Sequence, residues 1–320
     1  MRIRMELAGF AWALFVDVCL PVVVLIGLGA LIDRRFSISL GTLVKLNIHL
    51  FVPGFIFVKV VESSTGSDGV PFWQVVGFTL SVIGMLYLTG VVIGKIMKWP
   101  DATGRSFLLS TMFYNCGNWG IPMVQLAYPN GGPEIHVFVL LTMNLSTFTL
   151  GLALASERKS GEPWWSGLTG VFKLTPVYAI CAGFVCKSLS VPVEEWAFVW
   201  EPLKYLDRGL VSVALLTLGV QLSQTRPPKL DSKLCASLCV RLIAGPAMAW
   251  GLTRVWGFDD LTSAVLVLGA AAPTAINTAL LAHDLNADSR FASAAVFYST
   301  CLAVVTVTII LAIQSLQLGG

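Results

Sequence analysis

Two short apolar stretches carry the same residue types in swapped order, Asn118-Trp-Gly-Ile-Pro122 and Pro273-Thr-Ala-Ile-Asn277. Asparagine carboxamides donate and accept hydrogen bonds, whereas proline lacks an amide proton and breaks a helix. In hydrocarbon such a break is tolerated only where the freed backbone lines a cavity or is buried in protein. The helix that starts after it presents unsatisfied amides and the positive end of its dipole, about half an elementary charge. That favours non-covalent capture of a small anion. The residues singled out are Asn115, Asn118, Pro122, Pro273 and Asn277, with Asn144 and Tyr298 on the segments that follow the breaks. A kink satisfied by neighbouring helices explains any one of them, but paired breaks far apart in the chain point to a transport site.

A second set consists of ionisable residues within apolar segments, where charge is costly and functional roles are common. Asp17 is a proton-carrying candidate, because desolvation raises a carboxyl pKa toward neutrality. His49 either carries a coupling proton or is a buried, hydrogen-bonded neutral ring. Asp207 and Arg208 stand close to the expected start of a segment, where solvation or ion pairing accounts for them equally well. Arg241 either draws an organic anion or snorkels to the membrane surface. No metal-ligand spacing occurs and no carboxylate lies in either break, so neither a metal nor another cofactor is expected.

These residues need a membrane to position them. The chain is 56% hydrophobic and 12% charged, with mean hydropathy +0.78, a balance outside that of soluble domains. At roughly 20 residues per span, ten candidates fall at 13–31, 43–61, 72–94, 106–127, 136–155, 171–189, 203–222, 235–256, 261–283 and 289–312. The basic N-terminus resembles a secretory signal, but Asp17 interrupts the apolar run and no small-residue cleavage site follows, so it reads as span 1. The seven cysteines all fall within spans without a CxxC pair, so packing is expected of them. Thirteen Lys/Arg residues fall on one membrane face, against Arg2, Arg4, Lys59, Lys187, Lys204 and Arg254 on the other. The positive-inside rule then puts both termini outside the plasma membrane, the inner membrane of a bacterium.

A shift of 155 residues lays Asn118 on Pro273, Ile121 on Ile276, Pro122 on Asn277 and Ala127 on Ala282. A shift of 160 pairs Leu43 with Leu203, Asn47 with Asp207, Leu50 with Leu210 and Val60 with Val220. The expected fold is therefore all-α, with ten transmembrane helices in two five-helix repeats, residues 1–160 and 161–320. Five is odd, so the second repeat is inverted. Spans 4 and 9 are its broken, crossing helices.

At Asn115-Cys-Gly-Asn118-Trp-Gly-Ile-Pro122 and Ala272-Pro273-Thr-Ala-Ile-Asn277 the chain resembles the auxin efflux carrier family, which holds plant auxin exporters and bacterial organic acid permeases. Softer similarity covers Leu20-Pro21, Leu46-Asn47, Val52-Pro53 and Leu218-Gly-Val-Gln-Leu222. The resemblance implies a scaffold of spans 1, 2, 6 and 7 and a mobile bundle of spans 3–5 and 8–10 that carries substrate by an elevator motion. It differs from plant members in the short connection at 156–170, which leaves little room for regulation there.

The function this implies is secondary transport of a small organic anion, auxin-like or dicarboxylate-like. The alternatives are a sodium-coupled symporter of the bile acid type, which shares the general architecture, and a non-transporting sensor. An enzyme is not expected, since no paired aspartates, Ser/His dyad, His-Glu-x-x-His or phosphate-binding GxxxxGK[ST] motif occurs. Expected partners are the anion, the lipid bilayer, a proton or sodium ion and a second copy of the chain, with no nucleic acid.

Overall fold

The structure, a computed structural model, describes residues 15–63, 72–155 and 175–318. The N-terminal arginines, the connection at 156–170 and the first residues of spans 1 and 6 lie outside the described residues. Among these, all regular structure is helical apart from one isolated β-bridge.

Among the described residues, seven helices are long and apolar enough to cross a membrane. They are α1 (Phe15–Phe36), α2 (Leu40–Glu62), α3 (Phe72–Met97), α6 (Gly132–Gly151), α8 (Ala197–Gln224), α9 (Ser232–Trp256) and α12 (Ser289–Leu318). The stretch expected as span 4 is divided into α4 (Asp101–Met112) and α5 (Ile121–Ala127), and span 9 into α10 (Asp260–Ala270) and α11 (Ile276–Asp284). Span 6 is described as α7 (Thr175–Ser188). The chain is thus an all-helical integral membrane protein.

Local chemistry sets several boundaries. Asp231 and Asp259 cap α9 and α10 by accepting from the amides of Leu234 and Thr262, each at 2.8 Å. Gly257 ends α9 in the left-handed region at φ 66°, where glycine carries no Cβ penalty. Helix α8 begins six residues earlier than the expected 203, and Pro202 lies inside it. Among the described residues, five single π-turns interrupt the helices, at Phe15–Cys19, Asn47–Phe51, Cys116–Gly120, Thr147–Gly151 and Val240–Ala244. Three of them border the breaks or the cavity described below.

The helices pack in two groups. Helix α8 lies against α1 and α2, and α7 against α2. The second group joins α3 to α4, α6 and α9, α10 to α6 and α9, and α12 to α4 and α11. The α1–α8 contact is backbone to backbone. A Cβ on Gly219 would run into the Ile26 carbonyl, and one on Gly29 into the Leu216 carbonyl. Small residues permit this close approach, and in a bilayer helix association rests on such packing.

Candidate functional site

The two breaks meet. Helix α4 ends where Phe113 turns extended, at φ −103° and ψ 117°, and α10 ends ahead of Pro273, which has no amide proton. The freed strands pair antiparallel at Tyr114 and Thr274. The Asn115 amide donates to the Pro273 carbonyl at 2.7 Å and the Ala275 amide to the Phe113 carbonyl at 2.9 Å. Proline here supplies only an acceptor, so its missing donor leaves no gap in the pair. Thr274 adds an outward tie on each side: its hydroxyl donates to Ser110 O at 2.8 Å, and its amide to Ser299 Oγ of α12 at 3.0 Å.

Asparagines then cap the first break. Asn115 Oδ1 accepts from the Asn118 amide at 3.0 Å, and Asn118 Oδ1 accepts from Asn47 Nδ2 of α2 at 2.6 Å. His136 of α6, fully buried, meets the Cys116 carbonyl at 2.8 Å through Nε2. A carbonyl only accepts, so Nε2 carries the proton and Nδ1 is the acceptor.

A cavity of about 80 Å³ opens beside this junction, between α2 and α7 on one side and α6 and the two breaks on the other. That volume holds roughly five waters, so it suits a small ligand. Its polar lining consists of Asn47, Tyr114, Asn115, Cys116, Asn118, Asn144, Thr147 and Asn277, and no Lys, Arg, Asp or Glu is among the lining residues. Two carboxamide atoms at its wall, Asn115 Nδ2 and Asn47 Oδ1, are buried without a protein partner. Buried polar atoms of that kind are ordinarily satisfied by water or ligand. Helix α11 starts at the same wall with no side-chain cap, so its first amides point a positive dipole end at the cavity.

Four of the predicted residues, Asn115, Asn118, Asn144 and Asn277, share this lining. Pro122, buried at the start of α5, and Pro273, engaged in the β-bridge, are outside it. Tyr298 is elsewhere, its hydroxyl donating to the Pro228 carbonyl at 2.9 Å. Asn47 escaped the sequence reading as a site residue. Its signals were the pairing with Asp207 in the repeat and the softer family similarity at Leu46-Asn47.

The ionisable residues lie away from the lining. Asp17 is exposed on the first turn of α1. His49 is exposed as well, with Nδ1 3.1 Å from Thr175 Oγ1, which corrects the expectation of burial. Two residues on from buried Asn47, it falls on the opposite side of α2. Asp207 is buried two turns or more inside α8 rather than at its start. Lys59 approaches it at 3.6 Å and Lys204 at 3.9 Å, and the same lysines hold Glu62 at 3.3 and 2.6 Å, with Glu134 4.0 Å from Lys59.

Arg241 corrects the snorkelling alternative. It is 0% exposed. Its guanidinium donates to the Thr111 carbonyl at 2.8 Å and to the Ala270 carbonyl, which stand at the C-terminal ends of α4 and α10. Each such end carries about half a negative charge, so the two together balance one arginine. The guanidinium also stacks over the Tyr114 ring at 4.9 Å, directly behind a cavity-lining residue.

The profile of the family described as "Membrane transport protein" matches residues 17–163 and 170–311. The chain belongs to this family. It is 26% identical over 270 residues to an "Uncharacterized transporter" of Methanothermobacter thermautotrophicus, covering 83% of this chain and 86% of that one. A similar protein of Methanocaldococcus jannaschii is 23% identical over 279 residues, with 82% and 85% covered. A Rhizobium meliloti protein named "Putative malonate transporter" is 23% identical over 285 residues, with 84% and 85% covered. This family membership agrees with the resemblance carried by the two broken motifs, and it makes the chain a membrane transporter by kinship.

Proposed function

We propose that this chain is a secondary carrier of small organic anions, with the substrate held in the cavity where the two breaks meet. The observation that carries this is a lining of uncharged donors, four asparagines from the first break, α2 and α6 plus Asn277 of the second break at the uncapped start of α11. An anion there gains charge-assisted hydrogen bonds without a bound counter-ion. The cavity's size favours a short dicarboxylate over a ring-bearing indole acid, in keeping with the malonate named for the Rhizobium relative.

In this reading α1, α2, α7 and α8 form the scaffold and α3–α6 with α9–α12 the transport body, a division supported by the two packing groups. The halves 1–160 and 161–320 are inverted five-span repeats whose broken members cross at the site. The transport body moves as an elevator past a scaffold that dimerises in the plasma membrane, with both termini outside. Coupling to a proton is assigned to Asp207, where three carboxylates face two lysines.

The test is malonate flux in reconstituted vesicles. A hydrogen bond to a charged ligand is worth about 1.5–3 kcal/mol, so Asn118→Ala and Asn277→Ala should each lower flux at sub-saturating malonate by about tenfold or more while the protein stays folded. Normal flux in both variants would sink the proposal. Because no carboxylate lines the cavity, replacing sodium by a bulky organic cation should leave wild-type flux unchanged; a flux that collapses without sodium would favour the symporter instead.

A further inference from the structure

A second cavity lies on the outer side of α9, α10 and α12, far from the breaks in its chemistry. It is a groove of about 520 Å³ with a floor of buried Leu242, Val267 and Gln314 and walls of exposed Ile243, Ile309 and Ile313. At one end it shares Trp250, Val267 and Gln314 with a polar pocket of about 170 Å³ that also holds Arg254 and Asp260. Arg254 stacks over Trp250 at 5.6 Å. Neither Arg254 nor Asp260 forms an ion pair among the described residues.

The dimensions fit one class of molecule. Leu242 and Arg254 lie twelve residues apart on α9, about 18 Å along a helix axis, close to half of a hydrocarbon core about 30 Å thick. A Trp beside an Arg marks the interface where such a half begins. An acyl chain anchored at Arg254 would therefore run down the groove to the bilayer middle. Ordinary lipid-facing helix surface offers a chain only a convex side, whereas this groove offers a floor as well.

We propose that this groove is a phospholipid-binding site, taking one acyl chain of a phosphatidylethanolamine, with its phosphate on Arg254 and its ammonium on Asp260. The unpaired cation and the unpaired carboxylate in one pocket match a zwitterionic headgroup that can still donate hydrogen bonds. The lipid touches α9, α10 and α12 together, including the helix that supplies Arg241 to both breaks, so it ties down their packing independently of any transported anion.

The experiment uses the full chain, stripped of lipid in detergent. Thermal unfolding is followed with dioleoyl phosphatidylethanolamine, with phosphatidylglycerol of the same chains and with dioleoylglycerol, which has no headgroup; native mass spectrometry counts bound lipids. A ligand that binds only the folded state raises its melting temperature. The ethanolamine lipid should give the largest rise and one retained molecule. Ala247→Trp, at an exposed wall position, should abolish both without lowering the lipid-free melting temperature, and Arg254→Gln should erase the preference over dioleoylglycerol. If Ala247→Trp does not fold, Ile313→Trp serves the same purpose. Equal rises from all three lipids, or a groove-filled variant that still responds as wild type, would overturn the assignment.

Discussion

Replacing Arg241 with methionine is expected to destabilise the protein by about 3–5 kcal/mol, the usual cost of removing one side of a buried charged contact. Methionine restores most of the volume but no donor. The carbonyls of Thr111 and Ala270 would then be left without the guanidinium that now satisfies them, at the negative ends of α4 and α10. Native stabilities are only about 5–15 kcal/mol, so the variant should lose most of its monodisperse fraction in size-exclusion chromatography and melt well below the wild type. Lysine keeps the charge but not the fork that reaches two acceptors, so Arg241→Lys should lie between. A methionine variant that melts within a degree or two of wild type would show that the two helix ends do not need the guanidinium.

The second large effect is expected at Gly219. Its Cβ position is occupied by the Ile26 carbonyl, and Gly29 meets Leu216 in the same way from the facing helix. Backbone cannot be displaced as a flexible side chain can, so Gly219→Leu must part α1 from α8 by more than an ångström along their whole contact. Overpacking of this kind costs about 1–3 kcal/mol, and the lost close approach adds to it. Gly27, two residues from Gly29 and so on the opposite face of α1, has nothing within 4 Å of a Cβ and serves as control. Gly27→Leu should express and melt like the wild type while Gly219→Leu fails; equal behaviour of the two would remove the backbone contact as the cause.

Much of this was legible from residue types. The swapped Asn/Pro motifs located both breaks because proline and glycine act locally, through a missing proton and a missing Cβ. Asn115, Asn118 and Asn277 of the cavity followed from the same local chemistry, and Asn144 from its place on the segment after the first break. What escaped depends on distant partners. Arg241 reads as a snorkelling residue because sequence supplies its membrane depth but not the two carbonyls, 130 and 29 residues away, that hold it in place. Asn47 was hidden for the same reason, since its bond to Asn118 spans 71 residues. The start of α8 was misplaced because the expected span began at 203 and left out Pro202 and the residues before it, which the helix includes, and the error made buried Asp207 look interfacial. His49 was expected inside from its depth in the segment alone, which does not say which face of α2 it takes.

The π-turn of α2, Asn47–Phe51, has a consequence for how the chain tolerates length changes. A π-turn carries one more residue than an α-turn and absorbs it locally, so the faces of α2 on either side of it stay in step. Asn47 thereby faces the cavity while Lys59 meets Asp207. Removing one residue from the turn would let the helix close into regular α form with Lys59 still turned toward Asp207 and Glu134. Adding one residue between the turn and Lys59 would instead rotate that lysine by about 100°. The protein should thus tolerate the loss of one residue within the turn better than the gain of one beyond it.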